Sequence, residues 1–134
     1  MTDTLIALAG FAAWFVALSL VMALYRTSFV LRGQRAANSF AVNGSDLPGF
    51  GQRLTRARDN CYEMFPIFGA LALVAFASNR LAVTDPLAMW VLFARIGQSL
   101  THLVSVSVPA VLLRANLFIV QILIYAYWSY RLLT

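Results

Sequence analysis

Leu5 to Tyr25 is a run of 21 residues without a charged side chain, and no other feature constrains the chain so strongly. An α-helix rises 1.5 Å per residue, so about 20 apolar residues cross the ~30 Å hydrocarbon of a bilayer. Hydrocarbon offers no partner for backbone N–H and C=O groups, and a helix satisfies them within itself. The preceding Met1-Thr2-Asp3-Thr4 lacks the basic start of a cleavable signal, and the apolar run is longer than a signal's core. The run is expected to stay attached as a first membrane helix.

The rest of the chain extends that reading. Of 134 residues, 61% are hydrophobic and 11% charged, against about 25% charged in soluble domains. The length accommodates four crossings with short connections and no separate soluble domain. The expectation is an all-α, integral membrane four-helix bundle. The first helix, about 4–32, ends where Gly33 begins a stretch containing Asn43-Gly44-Ser45-Asp46 and Pro48-Gly49, which are loop signals. A second helix over about 52–79 has an apolar half, Met64 to Ser78, too short to span unless its polar half also enters the membrane protein. Asp85-Pro86 has the form of an N-cap followed by proline at the first helical position, predicting a third helix over 86–106. Pro109 then opens a fourth, to 131, whose Tyr127-Trp128 and Tyr130 suit a headgroup boundary.

The formal charge of +5 comes from ten arginines and no lysine against five acids. Arg26, Arg32, Arg35, Arg53, Arg56 and Arg58 gather around the first connection, which predicts a cytoplasmic loop and both termini on the non-cytoplasmic side. No recognition motif accompanies the charge, so no nucleic-acid partner is expected. A single cysteine, Cys61, excludes an intrachain disulfide framework. A single histidine, His102, has no second histidine to help it hold a metal, and none is expected.

Two polar stripes interrupt the apolar pattern. Arg53, Arg56, Asn60 and Glu63 are spaced i, i+3, i+7 and i+10, one face of a helix with 3.6 residues per turn. A charged side chain at membrane depth costs about 2.5–3.5 kcal/mol on insertion scales, so the face must meet protein, water or a polar ligand. Spacing leaves two readings open: a ladder of ion pairs pinning neighbouring helices, or a polar ligand site. Arg95, Gln98, Ser99, His102 and Ser105 repeat the theme on the third helix. Asp59 is expected to pair with Arg56 one turn back. Cys61 points about 100° from Asn60 and is expected to pack. Pro66 leaves the Tyr62 carbonyl without its usual donor, which predicts a kink.

The segment from Arg56 to Pro66 contains Arg56, Asn60, Glu63 and Pro66 in the order R-x-x-x-N-x-x-E followed by two apolar residues and proline. It resembles the second-helix signature of the MAPEG family, the membrane-associated proteins in eicosanoid and glutathione metabolism, in a bacterial-type member. Phe93-Ala94-Arg95-Ile96, with Pro109 fourteen residues after Arg95, is similar to the third helix and following turn of prostaglandin-synthase-like members. The resemblance implies a homotrimer binding glutathione between subunits, with Arg56, Asn60 and Glu63 as its contacts. Arg53, on the same stripe, and Arg95 join them as expected glutathione-binding residues. Glutathione offers carboxylates to arginine, an amine to glutamate and amides to asparagine. The family's enzymes hold the thiolate with an arginine near the turn between helices three and four, and here the cation available is Arg114, five residues after Pro109. His102 replaces a tyrosine of those enzymes and also donates a hydrogen bond, so Arg114 and His102 are the expected catalytic residues. The implied activity is a transferase or peroxidase acting on a lipophilic electrophile from the bilayer. The alternative is a non-catalytic lipid-binding or accessory membrane protein of the same fold.

Overall fold

The computed structural model describes residues 1–134 and contains four α-helices: α1 (Asp3–Leu31), α2 (Gly49–Ala77), α3 (Leu81–Val104) and α4 (Val108–Leu133). Each is long and apolar enough to cross a membrane, so the chain is a multi-pass membrane protein. At 29 residues, α1 and α2 are about 43 Å long, which exceeds the hydrocarbon and carries their polar ends into the headgroup region. α2 and α3 each pack against all three other helices, whereas α1 and α4 do not meet.

The short apolar half of α2 poses no difficulty. Leu54, Ala57, Cys61, Met64, Phe68, Ala72 and Ala75 are buried at steps of three or four residues, so one apolar seam runs through both halves of the helix. Arg53, Arg56, Asn60 and Glu63 each precede a seam residue by one and therefore lie about 100° around the helix from it. Cys61 belongs to the seam and is fully buried. Phe68 is the hub of the aromatic core. Its ring centroid lies 5.6 Å from Phe11, 6.2 Å from Tyr125 and 5.9 Å from Trp128.

Three expectations need correction. Asp85-Pro86 does not start the third helix: α3 begins at Leu81 and Pro86 lies inside it. The Asp85 carboxylate is used across the bundle, accepting from the Thr4 backbone N–H at 3.0 Å and the Thr4 hydroxyl at 2.5 Å. Thr4 is in the first turn of α1, where backbone N–H groups have no intrahelical partner. Asp85 thus caps a helix 81 residues away in sequence. The second helix starts at Gly49 and not near 52, because the Pro48 carbonyl already accepts from the Gln52 N–H at 3.1 Å and so closes the first turn. Trp128 does not face outward with Tyr127 and Tyr130. It is fully buried against Phe68, while both tyrosines are exposed.

The connections assign the helix ends to two sides. At one lie the N-terminus, the turn from α2 to α3 and the C-terminus of α4. There Arg80 donates to the carbonyls of Leu132 at 3.0 Å and Arg131 at 2.7 Å, a cation at a helix C-terminus. At the other side lie the arginine-rich loop between α1 and α2 and the short turn between α3 and α4. Within that loop Arg35 pairs with Asp46, which also accepts from the Ala41 N–H at 3.0 Å. The Arg35 guanidinium holds the Asp46 carboxyl below its ordinary pKa. Gly44 is required twice, by its φ of +69° and because a Cβ there would sit 2.4 Å from Thr55 Oγ1.

Removing a charged partner from a hydrogen-bonded pair typically costs about 1–3 kcal/mol. Asp85→Ala should therefore lower unfolding free energy in detergent by about that amount, and Asp85→Asn should recover part of it. Unchanged stability in Asp85→Ala would mean that the cross-bundle cap contributes nothing.

Candidate functional site

On α2 the polar stripe faces outward beside the apolar seam. Arg56 and Glu63 are exposed, Asn60 and Arg53 half-buried. On α3 the seam changes character along its length. Thr84, Ala88, Val91 and Leu92 are buried in its first half, and Arg95, Gln98 and Ser99 in its second. Where the two polar stretches meet, Arg56, Asp59, Asn60, Glu63 and His102 line a cleft of about 270 Å³. A second cleft of about 260 Å³ adjoins it, bounded by Asn60, Gln98 and His102 together with Val111, Arg114, Ala115 and Phe118 of α4. Asn60 and His102 belong to both walls.

Of the residues expected to bind or catalyse, Arg56, Asn60, Glu63, His102 and Arg114 thus border these two clefts. Arg53 and Arg95 do not. Arg53 Nε donates to the Leu103 carbonyl at 2.9 Å, tying α2 to the last turn of α3. Arg95 is fully buried behind Asn60, with its guanidinium bonded to Asn60 Oδ1 and lying 5.5 Å from the centre of the Phe11 ring. Its Nε and Nη2 have no partner within the subunit. Asp59 pairs with its chain neighbour Arg58 at 3.1 Å and not with Arg56 as expected, although Asp59 and Arg56 border the same cleft. Ser105 lies beyond the end of α3, where its hydroxyl bonds Ser107 at 2.9 Å.

Arg114 Nη1 lies 3.2 Å from His102 Nδ1. An arginine has donors and no acceptor, so this contact is a hydrogen bond in the tautomer that leaves Nδ1 unprotonated and carries the proton on Nε2. The second cleft is flanked by the apolar Val111 and Phe118, a setting in which charge-assisted hydrogen bonds are stronger than in water. Beyond the cleft, α4 contributes Gln121, which is fully buried and donates to Gln98 Oε1 at 3.0 Å. The signal for that residue was in the sequence: Gln121 is an isolated amide in the apolar run from Leu117 to Ile124, and a buried amide needs a partner. No group of histidine, cysteine and acidic residues is arranged to hold a metal ion.

Neither the curated proteins nor the solved structures supply a match to this chain. The MAPEG family model matches residues 4–134, which takes in all four helices and both polar stripes. The chain belongs to the MAPEG family.

Proposed function

We propose that this protein is a membrane-bound, glutathione-dependent transferase or peroxidase, a bacterial-type member of its family acting on lipophilic electrophiles. The observation that carries the reading is the cleft bordered by Arg56, Asn60, Glu63 and His102. It combines a guanidinium, an amide, a carboxylate and an imidazole at membrane depth, and MAPEG membership makes glutathione the ligand to test first. Arg56 would take a carboxylate of the tripeptide, Glu63 its ammonium and Asn60 a peptide or carboxylate oxygen. Arg53 and Arg95 contribute from behind, through the end of α3 and through Asn60.

The reaction needs the glutathione sulfur as thiolate. His102 Nε2–H and the Arg114 guanidinium are the donors available to hold that charge, at the boundary where α3 and α4 border the second cleft. In conjugation the sulfur forms a bond to the electrophilic carbon while the leaving group departs with the bonding electrons. Exposed apolar faces such as those of α1 and α4 give a lipophilic second substrate direct access from the bilayer. A homotrimer agrees with the exposure of Arg56 and Glu63, which a neighbouring subunit would cover. The arginine-rich loop favours termini on the non-cytoplasmic side.

One observation favours the second reading, an accessory or lipid-binding protein of this fold without thiolate chemistry. Arg114 is engaged with His102, so its charge is shared between the imidazole and any ligand. Thiolate absorbance separates the two: it should rise when glutathione is added to a catalyst and stay flat for an accessory protein.

Truncating one member of a buried charge-assisted contact typically costs 2–5 kcal/mol. Arg56→Ala and Glu63→Ala should each weaken glutathione binding by tenfold or more in calorimetry, compared among variants that remain assembled, with Cys61→Ala as a control that binds like the parent. Parental affinity in both variants would reduce the polar stripe to a structural ladder. Native mass spectrometry from mild detergent should give a trimer, and monomer alone would count against shared sites. A reporter fused to the C-terminus should score non-cytoplasmic; a cytoplasmic signal would invert the topology.

A further inference from the structure

We propose that Arg95, Arg114 and Gln121 are positioning residues that each occupy the acceptor atom of one cleft side chain, so that Asn60, His102 and Gln98 turn only donors toward the ligand. This rests on the reading of the clefts as a glutathione site and specifies how that site discriminates.

Asn60, Gln98 and His102 are chemically ambivalent, since each carries both a donor and an acceptor. Left to themselves they would accept or donate according to the ligand. Their partners remove that freedom. Arg95 bonds the Asn60 side chain and lies 3.4 Å from the Asn60 backbone carbonyl. A guanidinium cannot accept, so the amide atom facing it is Oδ1, and Nδ2 is turned the other way. Arg114 imposes the same condition on His102, fixing Nδ1 as acceptor and leaving Nε2–H. Gln121 is itself oriented, because its Nε2 donates to the Leu117 carbonyl at 3.0 Å. The same Nε2 meets Gln98 at 3.0 Å, so the Gln98 atom is Oε1 and its Nε2 is left as donor. These partners come from α3 and α4, and Arg95 and Gln121 are both fully buried.

Two of these donors, on Asn60 and His102, then stand in the wall shared by the two clefts, and the third, on Gln98, borders the second cleft with Arg114. The acceptor free of an ion-pair partner on the rim is Glu63, since Asp59 is paired with Arg58. The consequence is a polarity along the site. A thiolate, carboxylate or peptide carbonyl is accepted against α3 and α4, and an ammonium on the α2 rim, at Glu63 and the unpaired oxygen of Asp59. A ligand offering donors to the α3 wall is rejected, because its groups and those of the protein would both lose hydrogen bonds on leaving water.

Two measurements test this. Asn60→Asp keeps the shape of the side chain and the acceptor facing Arg95, and replaces the cleft-facing Nδ2 donor with an oxygen. Assembled Asn60→Asp protein should melt at or above the parental temperature, since the buried guanidinium gains a carboxylate partner, while its glutathione affinity falls tenfold or more. Parental affinity in that variant would overturn the donor assignment. The second measurement needs no glutathione. His102 is the sole histidine, so ¹⁵N-histidine labelling reports one ring. At neutral pH the ligand-free parent should show protonated Nε2 and unprotonated Nδ1, Arg114→Leu should convert this to a tautomer mixture, and Arg114→Lys should restore it. A parent protonated at Nδ1, or a spectrum unmoved by Arg114→Leu, would overturn the proposal. If the parent bound no glutathione, the ligand reading would fall by itself, and the tautomer spectra would still decide whether the cleft donors are held from behind.

Discussion

A guanidinium buried among membrane helices without a carboxylate beside it is the feature on which the polar half of this structure depends. Arg95 is fully buried, and removing a charge from water carries a cost of several kcal/mol unless other groups replace the lost hydration. The replacement within the subunit is partial: the Asn60 side-chain and backbone oxygens on one side and the Phe11 ring on another, with Nε and Nη2 left without a partner. Those contacts join α1, α2 and α3 at one level of the bundle. They also hold Asn60 in place, and Asn60 belongs to both clefts. The buried guanidinium therefore also orients the Asn60 amide.

The helix ends obey the same constraint. Each end leaves backbone groups without intrahelical partners. Three of them meet side chains from elsewhere in the chain: Asp85 serves the first turn of α1, Arg80, in the turn between α2 and α3, the last turn of α4, and Arg53 the last turn of α3. Charged residues that hydropathy alone marks as interruptions thus act as ties between helices. The apolar seams supply the packing and these ties fix the helices lengthwise against one another.

Placing the polar stripe of α2 about 100° from its apolar seam has a functional result. The seam can remain continuous through the polar half, from Leu54 to Ala75, so the helix packs along its full length while presenting Arg56, Asn60 and Glu63 to a cleft. Arg56 and Glu63 are exposed within one subunit, which agrees with a site that a neighbouring chain and an anionic ligand would complete.

Much of the architecture was legible in the residues alone. Four helices, the loop signals around Gly44 and Pro48, and the face shared by Arg56, Asn60 and Glu63 all follow from local pattern, because helix geometry relates residues a few positions apart in a fixed way. The MAPEG motif from Arg56 to Pro66 was legible for the same reason. Partner choice across long sequence distances was not. Asp85 has the local form of an N-cap for its own helix and instead caps α1. Trp128 has the composition of a boundary aromatic and instead stacks on Phe68. Arg95 reads as one more polar stripe residue, yet it is enclosed behind Asn60. Each outcome was decided by which helix came to lie opposite, and spacing within one helix carries no information about that. The sequence by itself determined where the helices run and which faces are polar. Only the tertiary structure decided which polar atoms meet one another and which remain open to a ligand, since a hydrogen bond between helices depends on their relative rotation and height in the bundle.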